Sequence, residues 1–163
     1  MDMKYFTISE FIRSDKAIKN RIWNGANREQ EDNIIALVDN VLDPLREKYG
    51  KPIRVSSGFR CPAVNSAVGG VQSDSKKSQH EKGEAADIVS SDGTKGNYSL
   101  ARLIAARGNF DQMILEDCGK NDLYPAWVHV SWKRTGSNRR EIRKKVKGVN
   151  AYPVITLKDL GLN

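Results

Sequence analysis

The chain has 163 residues, 39% hydrophobic and 29% charged, with a formal net charge of +7. That length suits one domain with a single core, and no apolar run approaches the roughly 18 to 20 residues that cross a bilayer. MDMKYFTISEFIRSD lacks the basic and apolar regions of a secretory signal, and Cys61 and Cys118 lie too far apart to suggest a disulfide framework or a cysteine metal site; whether they pair is left open.

Helices come first in chain order. Thr7 with Glu10 reads as a capping box opening a short helix through Ile12, and Asn27 with Gln30 opens a longer one. In the longer helix Ile34, Val38, Val41, Leu45 and Tyr49 recur every three or four residues, and Gly50 stops it. Pro44 lies inside and is expected to bend or interrupt it, because proline removes a backbone donor and crowds the preceding turn. A third helix is expected from about Asn97 to Arg107, with Leu100, Leu103 and Ile104 inward and Gly108 ending it. Four segments read as strands: IRVSSGF (53–59), EAADIVS (84–90), FDQMILE (110–116) and WVHVSW (127–132). Alternation along the last puts Trp127, His129 and Ser131 on one side and Val128, Val130 and Trp132 on the other. The fold class is therefore α+β, a small mixed or antiparallel sheet with helices packed on it.

The positive charge is concentrated. KRTGSNRREIRKKVK (133–147) holds eight bases and one acid, which leaves 19 of each elsewhere. Such a segment is either a solvated, partly helical surface or a patch for a polyanion. It has no aromatic residue for base stacking, so no sequence-specific nucleic-acid binding is expected of it.

Chemistry gathers in SQHEKGEAADI (78–88) and WVHVSW. His80 and His129 are the only histidines, and Asp87 sits on an apolar strand where an unpaired carboxylate would be costly. Two histidines and one carboxylate fill three positions of a tetrahedral zinc and leave a fourth for water, the pattern of a catalytic rather than a structural site. Gly83 supplies the turn that returns His80 over Asp87. Taken singly, His129 between valines is more often a core histidine, and Asp87 could pair with an arginine; the joint pattern carries the zinc reading.

SSGFRCPAVNSAVGG (56–70), SQHEKGEAADI, FDQMILE and WVHVSW, in that order, resemble the zinc D-Ala-D-Ala carboxypeptidases and L-alanyl-D-glutamate endopeptidases of bacteria and phages, which share the Hedgehog/DD-peptidase fold. Ser78, His80, Gly83, Ala85 and Asp87 match an S-x-H-x-x-G-x-A-x-D element. The resemblance implies one zinc ion on His80, Asp87 and His129, Arg60 steadying the substrate carbonyl or carboxylate, and Ser78 lining the substrate site. Relatives often carry an acid three residues before the last histidine, where this chain has Ala126. We therefore expect Glu116, on a face with Gln112 and Ile114, to be the general base, with Asp117 and Asp122 as the other candidates; Gln112 is placed beside the substrate.

The implied activity is hydrolysis of an amide bond in peptidoglycan stem peptides, as a carboxypeptidase or an endopeptidase. The alternative is a noncatalytic, zinc-containing module that binds cell wall or protein, kept open by Ala126. In the hydrolytic reading, residues 133–147 would suit an anionic wall polymer. A monomer is expected, either cytoplasmic in the producing cell or a phage-type lysin released to the wall.

Overall fold

The computed structural model describes residues 3–70 and 77–163. The amino-terminal third is helical: α1 (Ile8–Ile12), α2 (Asp15–Lys19) and α3 (Arg28–Leu37), the last continuing through a π-helical turn (Val38–Leu42) into α4 (Asp43–Tyr49). Both expected caps form. The Glu10 carboxylate accepts from Thr7 N at 2.7 Å, and Asn27 and Gln30 exchange side chain to backbone bonds of 2.8 and 2.9 Å.

Pro44 acts as proline chemistry requires, though the helix continues past it through a π turn instead of stopping. Without an N–H it cannot serve the carbonyl of Asn40, four residues back. The Asn109 side chain donates to that carbonyl at 3.0 Å, and the Asp43 N–H reaches back five residues to Val38, which creates the π turn. Gly50 then closes α4 in the left-handed conformation, φ +75°.

Strand β1 (Ile53–Ser57) is followed by α5 (Pro62–Ala67), β2 (Ala85–Ser90), α6 (Gly93–Arg107), β3 (Gln112–Cys118), β4 (Trp127–Ser131) and β5 (Glu141–Val146). They form a mixed α+β sheet in the order β1-β2-β4-β3-β5, antiparallel except for β3 with β5. One face, with Ala86, Ile88, Met113, Leu115, Val128, Val130 and Ile142, is buried against α3, α4 and α6 to make the core. The other face alternates with it and carries the polar residues considered below.

Two sequence expectations are corrected. Helix α6 begins at Gly93, not near Asn97, and Asn97 is a buried tie: its amide accepts from Ser90 N at 2.7 Å and donates to the carbonyls of Pro125 and Ala126 at 3.0 and 2.9 Å. The 133–147 segment is not helical. It supplies β5, buries Ile142, and pairs several of its charges: Arg139 and Lys133 with Asp111, Arg143 with Glu141, Lys145 with Asp117. Cys118 is buried and Cys61 half-buried; both are free thiols. Among the described residues no helix is long and apolar enough to cross a membrane.

Candidate metal centre

His80, Asp87 and His129 meet on the polar face of the sheet. The register accounts for two of them: Asp87 of β2 lies directly opposite His129 of β4, and facing residues of an antiparallel pair point to the same side. His80 arrives from the turn before β2, which depends on Gly83. That glycine has φ +74°, and a Cβ there would collide with the Gln30 carbonyl, so both conformation and space demand it. The turn is further fastened to α3, where the Gln30 and Asn33 side chains donate to the carbonyls of Glu81 and Lys82, each at 2.9 Å.

Hydrogen bonding fixes how His80 presents itself. Its Nδ1 lies 2.7 Å from the Gly58 carbonyl, an acceptor only, so Nδ1 carries the proton and Nε2 offers a lone pair. Burial pushes the imidazole's pKa down, favouring that neutral form. This is the outer-shell arrangement that orients metal-binding histidines. Gly58 is itself pressed against the backbone of Phe11, leaving no room for a side chain, and Phe59 N donates to the Phe11 carbonyl at 2.8 Å. Helix α1 thus sets the position of the carbonyl that aims His80.

The donor atoms fit a zinc ion. His129 Nδ1 is 3.0 Å from Asp87 Oδ1 and 3.2 Å from His80 Nε2, and His80 Nε2 is 3.4 Å from Asp87 Oδ1. Ligands about 2.0 to 2.1 Å from a tetrahedral zinc lie about 3.3 to 3.4 Å from one another, so this triangle is one slightly contracted face of such a site. Burial alone would push the Asp87 carboxyl up; the two histidines overcome that and hold it well below the usual carboxylate range. It presents a carboxylate.

The other predicted residues fall at different distances from this centre. Arg60 Nη2 lies 3.7 Å from Asp87 Oδ2 and Nη1 3.4 Å from Asn65 Oδ1, while its Nε is buried with no partner among the described residues. Glu116 of β3 pairs with Trp127, while Ile114, two residues before it, pairs with His129; Glu116 therefore shares the metal face. Burial raises its pKa to about 7, opposed by the field of His129 and reinforced by that of Asp87. Asp117 turns to Lys145 at 2.8 Å, and Asp122 caps a loop through Gly119 N and Tyr124 N. Ser78 Oγ accepts from His80 N at 3.3 Å, so it braces the histidine's backbone. Gln112 is on the same face but donates to Glu141 at 2.6 Å. Ala126 is exposed, and its N–H donates to the Glu116 carbonyl at 2.8 Å.

Sequence reasoning missed the supports. Asn24 is buried and bonds on both sides of Arg60: its amide donates to the Phe59 carbonyl at 3.0 Å and accepts from Cys61 N at 2.7 Å. The pairing of Asp111 with Arg139 was also missed. Gly58 was visible within S-G-F-R, and only its carbonyl's task was hidden. A cavity of about 320 Å³ lined by Val41, Pro44, Leu45, Leu103 and Ile104 lies on the helical side, between α4 and α6, away from the three ligands.

A family model described as Peptidase M15 matches residues 4–131, which include every residue of this centre. No curated protein matches the chain.

Proposed function

Since this chain belongs to the peptidase M15 family, of the zinc D-Ala-D-Ala carboxypeptidase type, we propose that it hydrolyses an amide bond in the peptide stem of peptidoglycan, with zinc held by His80 Nε2, His129 Nδ1 and Asp87 Oδ1. The observation that carries this reading is the convergence of those three atoms on the polar face of the sheet. Bound zinc would supply Lewis acidity to the scissile carbonyl and lower the pKa of water. The chain's own groups do the rest. Glu116, poised near neutrality by its burial, takes a proton from the attacking water and passes it to the leaving amine. Arg60, beside Asp87, donates to the oxygen on which negative charge develops. Its Nε, buried without a partner among the described residues, is a donor in waiting.

The test pairs metal analysis with product analysis. Purified wild type should hold about one zinc and release peptides from peptidoglycan that mass spectrometry identifies; Glu116→Gln should keep the zinc and release none. A wild type that holds zinc and leaves muropeptides intact would favour the noncatalytic binding module and sink the peptidase reading.

A further inference from the structure

Strand β5 lies beyond residue 131, where the family match ends, yet it borders the face that carries the metal centre. Parallel pairing sets Leu115 beside Lys144 and Cys118 beside Val146, with the register shifting between them. Glu116 and Asp117 therefore both stand against the single residue Lys145, a β-bulge on β3. The bulge is a real distortion: Asp117 is a non-glycine residue at φ +52°. Its product is an ammonium group fixed beside Glu116, with Nζ 2.8 Å from Asp117 Oδ1 and the side chain one-fifth exposed.

The sheet order gives this cation its meaning. Arg60 follows β1, the ligands Asp87 and His129 lie on the adjacent strands β2 and β4, Glu116 lies on β3 and Lys145 on β5. Two fixed cations thus flank the metal centre along the direction across the strands. Neighbouring strands are about 4.8 Å apart, so β5 lies about 10 Å from His129, a span that an extended peptide covers in about three residues. Tyr152 borders the same corner. Arg143 donates to its carbonyl at 2.7 Å, and its hydroxyl's pKa is raised by burial first and then by the Glu116 charge, against the pull of Lys145.

We propose that Lys145 forms a second anion subsite, binding a substrate carboxylate two or three residues from the scissile bond, so that the enzyme selects acidic peptides over their amidated forms. This rests on the peptidase reading above. An ammonium has three donors and Asp117 engages one, so Nζ can receive a second carboxylate. Asp117 is then both the anchor that orients Lys145 and the competitor that moderates its affinity.

That double role separates a binding residue from one that merely pins the bulge. Stem peptides with free carboxylates and the same peptides amidated at those positions would be compared for KM and kcat. The wild type should show a KM about tenfold lower for the free acids, the scale of a charge-assisted hydrogen bond. Lys145→Met should erase the difference, whereas Asp117→Asn, a residue that tolerates positive φ, should widen it by lowering KM for the acids. Equal KM values for acid and amide in the wild type would overturn the subsite alone, as would a parallel rise in KM in Lys145→Met and Asp117→Asn. A wild type that cuts neither peptide would overturn the peptidase reading and the subsite with it.

Discussion

Two carboxylates lie in or beside this sheet with little exposure, and their surroundings are opposite. Asp111, fully buried just before β3, is enclosed by hydrogen donors: the Arg139 guanidinium at 2.7 to 3.2 Å, Arg139 N at 2.9 Å, Gln79 Nε2 at 2.8 Å and Lys133 at 3.6 Å. Asp87 faces two imidazole nitrogens, one of which has its lone pair turned inward, and Arg60 approaches no nearer than 3.7 Å. A carboxylate surrounded by protons is a finished structural node. One that shares a small space with the His80 lone pair and a second imidazole nitrogen is suited to a cation, and that contrast is why Asp87, and not Asp111, is proposed as a zinc ligand.

The largest expected effects fall on the Asp87 side. His80→Ala should take zinc from about one per chain to none and reduce peptide hydrolysis by several orders of magnitude. Zinc retained in that variant would break the comparison, because the metal would then be held independently of His80 and the Asp87 cluster. Next comes Glu116→Gln, which should lower kcat by roughly a hundred- to ten-thousandfold, the range for loss of a general base, with zinc content unchanged. In the wild type the base works only when ionised, so kcat/KM should rise with pH through about 7, and that limb should vanish in the variant. An unaltered acidic limb would assign it to another group.

The Asp111 side should respond in stability and not in metal content. Arg139→Ala removes the bidentate partner of a buried charge but leaves Lys133 and Gln79, so a loss of about 2 kcal/mol is expected, read by denaturant unfolding of the zinc-loaded protein. Zinc stoichiometry should hold. If Arg139→Ala also released zinc, the two carboxylates would form one network and the division drawn here would fail. The Gln79 contact makes this a sharp test, since Gln79 is the neighbour of His80 and donates to Asp111.

The difference between the two acids also explains what the sequence disclosed. Asp87 was legible because its partners follow local patterns: His80 lies seven residues away across a glycine turn, and His129 is set by strand alternation. The α+β class and four of the five strands were legible for the same reason, since apolar alternation is a short-range signal. Asp111 was not, because Arg139 is 28 residues away in a segment whose charges read as a solvated surface. β5 was hidden likewise: in Glu141–Val146 only Ile142 is buried, and the basic residues belong to a strand only through partners on β3 and its flanks. Asn97 looked like a helix start, whereas its buried amide answers groups on two other segments. Pairings across the sheet, unlike periodicity along it, leave no mark in one stretch of chain.

Acid titration gives the most discriminating separation. Burial would push the Asp111 carboxyl up, but Arg139 and the Gln79 amide bring it to about 2, below its ordinary 3.8. Between those values the unfolded chain binds the extra proton, so stability rises with pH across the window. The contribution, about 2 kcal/mol for a shift of this size, is fully present above pH 4 and lost as pH falls through about 2. Glu141 is also held at about 2, chiefly by Arg143, so the wild-type curve alone cannot isolate Asp111. The difference between wild type and Asp111→Asn can: it should be largest above pH 4 and shrink toward pH 2. Measured on chelator-treated protein, that difference excludes metal release, and a flat difference would mean that Asp111 is not the satisfied acid its neighbours make it.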